Sequence, residues 1–319
     1  MLRSDVSELI DDLDRALVER LRVDGRESNR SLANALGINE ATVANRLRRM
    51  ESSSIMRVVA LADMEAFGYA HLGFAKITVR DRPVSEVGAD LAKLVESIVV
   101  TIATGRYDLI VAFLARDRAH LAETLGKSIP SIKGVDETRC ELALEVLRYD
   151  SMWGVLDAPD WPFEPWEENE AVDRLDLAII RELQKDARVS NRRIAAELDV
   201  SEGTIRSRIR RMEDEKLIRI QAVSDPFAFG FTSHAYVGVE AVPGKIDEVA
   251  KGLLEIDSVF VLTRTLGEFD FLALCATGDR ESLIETVLNR IRPLKGVRRT
   301  ETIENWAALK HAYLWARLV

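Results

Sequence analysis

The sequence predicts an α+β protein made of two repeats, each an all-α helix-turn-helix domain followed by a βαββαβ ferredoxin-like domain. The first reason is that the chain matches itself at an offset of 162 residues. Over residues 13–51 the copies share 18 identities in 39 aligned positions, which is too many for coincidence and indicates duplication. The second reason is a capped basic helix at the same place in both copies. The third is the alternation of strand and helix patterns that follows it.

Each repeat begins with two short helices. Residues 13–23 carry leucines along one side, as an amphipathic helix does, and residues 29–36 form a second helix. Gly37 follows at a position where left-handed backbone ends a helix. Asn39 and Ser201 then suit the N-cap of the next helix, each followed by a glutamate that favours the positive helix end. The second copy places its first two helices at residues 175–185 and 191–198.

The third helix of each copy, residues 39–50 and 201–212, has an apolar stripe on one face and small polar and arginine side chains on the other. That combination is typical of a helix that reads DNA in the major groove. The predicted DNA-contacting residues are Thr42, Asn45, Arg46, Arg49, Thr204, Ser207, Arg208 and Arg211. Arg48 and Arg210 lie toward the side of the helix and suit phosphate contacts or packing salt bridges. The alternative for any single arginine is a solvated helix surface.

After each helix-turn-helix the pattern changes to strands. Residues 55–61 and 217–223 predict a hinge strand in each copy. The first copy then gives strand, helix, strand, strand, helix and strand at residues 70–79, 84–95, 98–104, 109–115, 118–128 and 136–144. The second gives the same order at residues 234–242, 245–254, 259–266, 271–277, 280–291 and 297–303. Because helices cover one face of such a sheet, a second sheet of the same kind is expected to cover the other.

Composition indicates an ordinary globular protein, with 47% hydrophobic and 30% charged residues. No apolar run approaches 18 residues, and the acidic N-terminus lacks the apolar core of a signal peptide, so we expect a cytoplasmic protein that does not enter a membrane. Cys140 and Cys275 do not occupy equivalent positions, and we expect free thiols without a disulfide or metal role. The four histidines show no metal-ligand spacing.

The net charge of −9 is unevenly distributed. Residues 13–58 carry +3 whereas residues 150–174 carry −7, so much of the acidity lies in a linker. The linker contains Pro159, Pro162, Pro165, Trp153, Trp161 and Trp166. The prolines and the acidic residues of this segment are typical of a linker between domains, and the tryptophans indicate that it docks on a protein surface. The second repeat ends with a longer apolar tail, residues 306–319, which is expected to cover a sheet edge as a strand or helix. The expected domains are residues 1–54 and 173–216 for helix-turn-helix domains, 55–149 and 217–319 for ferredoxin-like effector domains, and 150–172 for the linker.

The sequence resembles two copies of the leucine-responsive/asparagine-responsive (Lrp/AsnC) transcription regulators, fused end to end. The motifs that carry the resemblance are LDRALVERLRVDGRESNRSLANALGINEATVANRLRRM with GRYD downstream, and LDLAIIRELQKDARVSNRRIAAELDVSEGTIRSRIRRMEDEKLIR with GEFD downstream. The resemblance covers nearly the whole chain apart from the linker and both tips. It implies effector domains that pair through their sheets, and dimers that assemble further, commonly into octamers of single-repeat chains.

The resemblance also implies an effector, usually an amino acid, bound between effector domains near a Gly-x-x-Asp turn. In this chain the turns implied by the resemblance are Gly105, Arg106, Tyr107 and Asp108 in the first copy and Gly267, Glu268, Phe269 and Asp270 in the second. Thr104, Thr138, Thr265 and Thr300 flank the same sheet end and offer hydroxyls, so we include them among the candidate effector-binding residues. A glycine lets backbone amides approach a carboxylate, and an aspartate accepts hydrogen bonds from an ammonium group. The alternative is a hairpin turn whose Gly and Asp serve backbone geometry alone.

Together these features indicate a sequence-specific, effector-responsive regulator that binds double-stranded DNA as a fused pseudo-dimer. We expect an even homo-oligomer, with no catalytic residue, metal or cofactor. The halves are not equal, because Arg106 and Glu268 reverse charge at equivalent positions, and the second recognition helix contains Gly203 and an additional Arg206.

Two alternatives remain open. Fused two-repeat chains also resemble siroheme decarboxylases, which use histidines and arginines of the sheet region on a tetrapyrrole. The corresponding strands here contain no histidine and offer only Arg106 and Arg264, and arginine-rich recognition helices would have no role in such an enzyme. The other alternative is an effector-sensing protein with degenerate DNA heads.

Overall fold

The computed structural model describes residues 10–150, 152–154, 156 and 168–318, and it confirms the α+β prediction. The first repeat contains α1 (Asp12–Val23), α2 (Asn29–Leu36), α3 (Glu40–Ser52), β1 (Met56–Asp63), β2 (His71–Val79), α4 (Val84–Ala92), β3 (Ser97–Thr104), β4 (Leu109–Ala115), α5 (Arg118–Glu123) and β5 (Val135–Tyr149). A π-helical turn, Thr124–Ser128, extends α5. Gly37 ends α2 with φ 67°, as predicted for left-handed backbone.

The second repeat follows the same order. It contains α6 (Arg174–Lys185), α7 (Asn191–Glu197), α8 (Glu202–Asp214), β6 (Ile218–Ser224), β7 (Ser233–Ala241), α9 (Ile246–Leu254), β8 (Val259–Leu266), β9 (Phe271–Thr277), α10 (Arg280–Glu285), β10 (Val297–His311) and β11 (Trp315–Ala316). A second π-helical turn, Thr286–Ile291, extends α10. Among the described residues, no helix combines the length and apolar character that crossing a bilayer requires.

Four strands of each repeat join into one closed barrel, in the order β10-β3-β4-β2-β5-β8-β9-β7. Within each repeat the order β5-β2-β4-β3 or β10-β7-β9-β8 is that of a ferredoxin-like sheet. The inner faces of the two sheets pack together, and the rings of Phe74 and Tyr236 lie 6.0 Å apart. Strands β5 and β10 run past residues 144 and 303, their predicted ends, because their second halves pair with β8 and β3 of the other repeat.

The hinge strands β1 and β6 pair with each other in an antiparallel ribbon. Each helix-turn-helix unit packs on the hinge strand of the other repeat. The amide of Gly25 donates to the carbonyl of Ile220 over 3.1 Å, and the amide of Ala187 donates to that of Val58 over 3.2 Å. Residues 25 and 187 are equivalent in the repeat. The two heads are therefore exchanged across a pseudo-two-fold axis.

Two equivalent arginines also link the heads directly. Arg26 donates to the carbonyl of Val189 over 2.8 Å. Arg188 donates to the carbonyls of Gly25 and Glu27, over 3.0 and 2.9 Å. Burial lowers the pKa of both guanidinium groups, although both stay charged at neutral pH. These reciprocal contacts fix the position of one head relative to the other.

Equivalent cations on the long strands cap helices of the opposite repeat. Arg148 of β5 donates to the carbonyls of Leu254 and Ile256, at the C-terminus of α9. Lys310 of β10 donates to the carbonyl of Ala92, the last residue of α4, over 3.0 Å. The last carbonyls of a helix have no partner within it and carry negative partial charge, so buried cations suit them. Burial lowers the pKa of Lys310 to about 8.

Trp153 and Trp315 are equivalent positions that both lie against the ribbon. Trp315 pairs in parallel with Ala62 of β1, and Trp153 forms a parallel bridge with Ser224 of β6. The C-terminal tail is thus a strand at the ribbon edge, and the linker docks there through Trp153. The linker residues Pro159, Trp161, Pro162, Pro165 and Trp166 lie outside the described part of the chain.

Candidate DNA-binding and effector-binding sites

The recognition helices α3 and α8 are capped as the sequence predicts. Asn39 Oδ1 accepts from the amide of Thr42 over 2.8 Å, and Ser201 Oγ accepts from that of Thr204 over 3.0 Å. The hydroxyls of Thr42 and Thr204 also bond to these caps, over 3.0 and 2.8 Å. The apolar stripes of both helices are buried. The two threonines predicted to contact DNA therefore take part in helix capping.

Arg46 and Arg49 of α3 hold the N-terminus of α1. Arg46 Nη1 lies 2.7 Å from an oxygen of Asp11 and 3.0 Å from Asp14 Oδ1, and Arg49 pairs with the other carboxylate oxygen of Asp14. Asp14 is completely buried. Asp11 and Asp14 also form a reciprocal capping box. Hydrogen bonds from Arg46 and from the Asp14 amide lower the pKa of Asp11 to about 2.

The second head repeats this network. Arg208 lies 2.5 Å from Asp173 and 3.1 Å from Asp176, and Arg211 lies 2.5 Å from Asp176. Asp176 is buried, and the hydrogen bond from Arg208 lowers the pKa of Asp173. The arginines are only partly exposed, from 25% for Arg46 to 49% for Arg49. The structure thus engages all four predicted DNA-contacting arginines in ion pairs within the heads.

Other polar residues are exposed on the outer surface of the recognition helices. In α3, Asn45 and Arg48 are exposed, and Arg48 donates to Asn45 Oδ1 over 3.2 Å. In α8, Arg206, Ser207 and Arg210 are exposed. Both arginines pair within the helix surface, Arg206 with Glu202 over 2.9 Å and Arg210 with Asp214 over 3.7 Å. We call these five residues the outer face. The outer face contains Asn45 and Ser207 from the predicted set of DNA-contacting residues. It adds Arg48, Arg206 and Arg210, whose side chains are more exposed than those of Arg46 and Arg208.

The aspartates of both Gly-x-x-Asp turns serve the backbone. Asp108 Oδ2 accepts from the amide of Val79, and Asp270 Oδ2 accepts from that of Ala241, both over 2.7 Å. These amides belong to the last residues of β2 and β7, so each carboxylate satisfies a backbone donor at the end of a strand in its own repeat. This is the backbone role that the sequence left open as the alternative to ligand binding.

The two turns meet each other across the pseudo-two-fold axis. Arg106 forms an ion pair with Glu268, and the Tyr107 hydroxyl donates to Glu268 Oε2 over 2.9 Å. The oppositely charged residues at this equivalent position of the two copies are therefore in direct contact with each other. Phe269 and Tyr107 are both buried beside it. The structure brings the two predicted effector turns into one site.

A buried ion pair that the sequence did not reveal lies beneath this contact. Lys76 Nζ lies 2.5 Å from Glu141 Oε1 and 2.9 Å from Glu268 Oε2. The side chains of Lys76 and Glu141 have no exposed surface. The ammonium group also lies over the rings of Phe269 and Tyr107, 4.4 and 5.1 Å from their centres. The sequence signal is weak, because Lys76 is a charged residue inside the apolar strand β2, whereas Glu141 is one of several charged residues in β5.

The four predicted threonines take different places around the turns. Thr265 Oγ1 donates to the carbonyl of Phe269 over 2.8 Å and stabilises its own turn. Thr138 pairs with Ile77, and Thr300 pairs with Val239, so both lie beside the strand ends that the aspartates close. The Thr138 hydroxyl is buried and has no hydrogen-bond partner among the described residues. Thr104 is exposed at the end of β3.

Glu268 is expected to make folding stability pH-dependent in the acid range. Burial alone would raise the pKa of this carboxyl, but hydrogen bonds from Lys76, Arg106 and Tyr107 lower it from 4.5 to about 2. A lowered carboxyl pKa contributes stability that is present above the unfolded-state pKa of 4.5 and is lost as the pH falls toward about 2. At pH 3 we expect a loss of about 2 kcal/mol from this group relative to pH 6. Urea unfolding of wild type and Glu268→Gln at both pH values measures it, and an equal pH dependence in the two proteins would contradict it.

Cys140 and Cys275 are free thiols in the structure. Burial raises their pKa values to about 11 and about 12, which makes both poor nucleophiles. Across the described ranges, no cluster of three or more His, Cys, Asp or Glu side chains is placed to hold a metal ion.

Comparison with known protein families gives two domain matches, each found twice. The AsnC-type helix-turn-helix domain matches residues 10–51 and 172–213. The Lrp/AsnC ligand binding domain matches residues 72–153 and 234–310. Together the four matches cover well over half of the chain.

Similar proteins include single-repeat regulators. The HTH-type transcriptional regulator Ptr1 of Methanocaldococcus jannaschii is 37% identical over 127 residues, which are 40% of this chain and 86% of that protein. The HTH-type transcriptional regulator FL11 of Pyrococcus furiosus is 33% identical over 139 residues, which are 43% of this chain and 91% of that protein. Each aligns with less than half of this chain, as expected if the chain contains two such units.

Among solved structures, the siroheme decarboxylase NirDL covers 94% of this chain and 93% of its own, with a TM-score of 0.65 and 14% sequence identity. At that identity the likeness shows the two-repeat fold alone. Arg106 and Arg264 of the corresponding sheet region are engaged by carboxylates, because Arg106 pairs with Glu268 and Arg264 lies 2.6 Å from Asp247.

Both domain models recur at the repeat offset, and single-repeat relatives align with most of their own length. The chain therefore belongs to the Lrp/AsnC family, and it carries two copies of the family's domain pair fused in tandem.

Proposed function

We propose that the chain is a sequence-specific DNA-binding transcription regulator that acts as a fused pseudo-dimer. The observation that carries the proposal is the reciprocal packing of the heads, in which each unit lies on the other repeat's hinge strand and Arg26 and Arg188 lock the pair. A fixed pair of recognition helices suits two successive major-groove faces of double-stranded DNA, roughly 34 Å apart. Because the halves differ in sequence, the preferred site is an imperfect palindrome.

The outer face makes the DNA contacts in this proposal. Asn45 and Ser207 read base edges or phosphates, and the exposed arginines contact phosphates or guanines. Arg46, Arg49, Arg208 and Arg211 act mainly by holding the recognition helices against α1 and α6. Arg49 is half exposed and retains one free edge for a phosphate.

The effector domains respond to a small molecule of the amino-acid class, bound where the two Gly-x-x-Asp turns meet. The match of both repeats to the Lrp/AsnC ligand binding domain and the convergence of both turns at one site support this part of the proposal. Further assembly into an even homo-oligomer would let the effector change the spacing of DNA heads. We place this regulator in the cytoplasm.

The enzyme alternative rests on the two-repeat fold that the chain has in common with a siroheme decarboxylase. It is not favoured, because Arg106 and Arg264 are already paired and the heads retain capped recognition helices. The alternative of degenerate heads is an outcome of the DNA-binding experiment below.

Substitutions on the outer face are expected to weaken DNA binding without loss of fold. We expect Asn45→Ala/Arg48→Ala and Arg206→Ala/Ser207→Ala each to lower affinity about tenfold or more, with a shallower salt dependence. The measurement is a salt titration of binding to the DNA upstream of the protein's own gene, with excess non-specific competitor. These variants are preferable to Arg46→Ala or Arg208→Ala, which also break ion pairs with buried aspartates.

Lys127→Ala is the matched control, since this lysine is 79% exposed and lies on an effector domain. It should bind as wild type does. Loss of binding in only one of the double variants would mean that one head is structural. Absence of selective binding by the wild type at low salt would overturn the regulator proposal and favour degenerate heads.

A further inference from the structure

We propose that the Gly267 turn is permanently occupied by the chain's own Glu141 and Lys76, which take the places of a ligand's carboxylate and ammonium groups. This inference rests on the proposed effector-binding role of the turns. It assigns the two turns of one chain different functions, with Gly267 closed and Gly105 open. The chain then binds one effector molecule rather than two.

The carboxylate half of the occupant is Glu141. Its Oε1 accepts from the amide of Glu268 over 3.1 Å, and its Oε2 accepts from the amide of Phe269 over 3.2 Å. Two successive amides on one carboxylate are the arrangement by which a glycine turn binds an anion. Gly267 is part of this fit, because a Cβ there would lie 2.2 Å from Glu141 Oε2 and 2.7 Å from the Cys140 carbonyl.

The ammonium half is Lys76. It lies 2.9 Å from Glu268 Oε2 and directly against Glu141, so the charges alternate across the site. The rings of Phe269 and Tyr107 cover the ammonium group. A free amino acid would need the same three features, which are backbone donors for its carboxylate, an acceptor for its ammonium group and an apolar wall. The chain supplies both charged groups itself, and no part of either is exposed.

The Gly105 turn lacks this occupant. At the repeat offset, Ile303 stands in place of Glu141, and Gly238 stands in place of Lys76. The amides of Arg106 and Tyr107, equivalent to those that bind Glu141, donate to no described residue. A Cβ built on Gly105 would meet no atom within 4 Å. One turn is therefore sealed by charged side chains, and the other has free donors beside open space.

A chemical rescue experiment tests the occupancy directly. Glu141→Ala should empty the two amides, and added acetate should then refill them. We expect 200 mM sodium acetate to raise the Tm of this variant above its value in sodium chloride of equal ionic strength, by on the order of 2 °C or more. Wild type should show a smaller difference between the salts, since only its open Gly105 turn has amides free to bind acetate. Ile303→Ala is the matched control, because it opens an apolar cavity at the equivalent position, and it should respond no more than wild type does.

An equal response of Glu141→Ala and Ile303→Ala to acetate would overturn the proposal, since it would mean that the Gly267 turn does not hold an anion. Should Glu141→Ala not fold, amide hydrogen exchange in the wild type decides. The amides of Glu268 and Phe269 should exchange more slowly than those of Arg106 and Tyr107, and Glu141→Gln should reduce the difference. Equal exchange at both turns would overturn the proposal.

Neither measurement uses DNA or an effector. A chain that fails to bind DNA can still show acetate rescue, and a DNA-binding chain can fail to show it. The outcome for the occupied turn is thus separate from the outcome for the proposed regulator.

Discussion

Replacing Lys76 with methionine is expected to lower the free energy of unfolding by about 3–5 kcal/mol. Lys76 and Glu141 are fully buried, and the lysine bridges Glu141 to Glu268. Methionine fills a similar volume but leaves Glu141 with only the two turn amides. Glu268 retains Arg106 and Tyr107 and is less affected. The loss comes from a buried carboxylate without its counter-ion.

Urea unfolding at neutral pH measures this loss. Lys93→Met is the control, because it removes a mostly exposed lysine from an ion pair with Asp90 and should cost less than about 0.5 kcal/mol. The double variant Lys76→Met/Glu141→Leu removes both buried charges and should recover part of the lost stability. Recovery is incomplete because the amides of Glu268 and Phe269 then lose their acceptor. If Lys76→Met were as stable as Lys93→Met, the buried pair would contribute nothing to folding.

The contact between Arg106 and Glu268 depends on the fusion of the repeats. These positions are equivalent and meet across the pseudo-two-fold axis. In a symmetric dimer of identical chains, a residue on the axis faces its own copy, so a charged residue there would meet a like charge. A fused chain can place opposite charges at the two positions. The same freedom permits Lys76 and Glu141 in one repeat and Gly238 and Ile303 in the other.

Much of the fold follows from the sequence because duplication and periodicity are local signals. The strands β4, β8 and β9 begin and end at the predicted residues. Apolar alternation and turn residues define such strands, and the offset of 162 residues transfers each assignment to the other copy. Pairing of β5 with β8 and of β10 with β3 was not predicted, since no local pattern specifies which edge strands of two sheets meet.

The candidate sites were predicted less completely because their key contacts are long-range. Helical periodicity places Arg46 and Arg49 opposite the apolar stripe, but it does not show that the N-terminus of α1 covers them. The sequence does contain a hint of this contact, because an aspartate occurs at the same position of both repeats, Asp14 and Asp176, ahead of the recognition helices. Lys76 and Glu141 are 65 residues apart and occur in one repeat only, so neither spacing nor repetition indicates their pairing.

Asp14→Ala is expected to destabilise the first head by about 3 kcal/mol. The buried carboxylate accepts from Arg46, Arg49 and the amide of Asp11, and alanine removes all three bonds. The expected loss lies at the lower end for buried ion pairs because Arg46 and Arg49 are partly exposed and can regain water. Asp176→Ala should have a similar effect on the second head, since Asp176 pairs with Arg208 and Arg211, the equivalents of Arg46 and Arg49.

Helical circular dichroism during urea unfolding measures both losses, with Asp12→Ala as the control on the exposed side of α1. DNA affinity should fall in Asp14→Ala as well, although Asp14 is buried and cannot touch DNA, because α3 loses the contacts that orient it. A variant as stable as Asp12→Ala that binds DNA more tightly would mean the opposite. Arg46 and Arg49 would then be direct DNA ligands, as the sequence alone predicts, and Asp14 would compete with DNA for them.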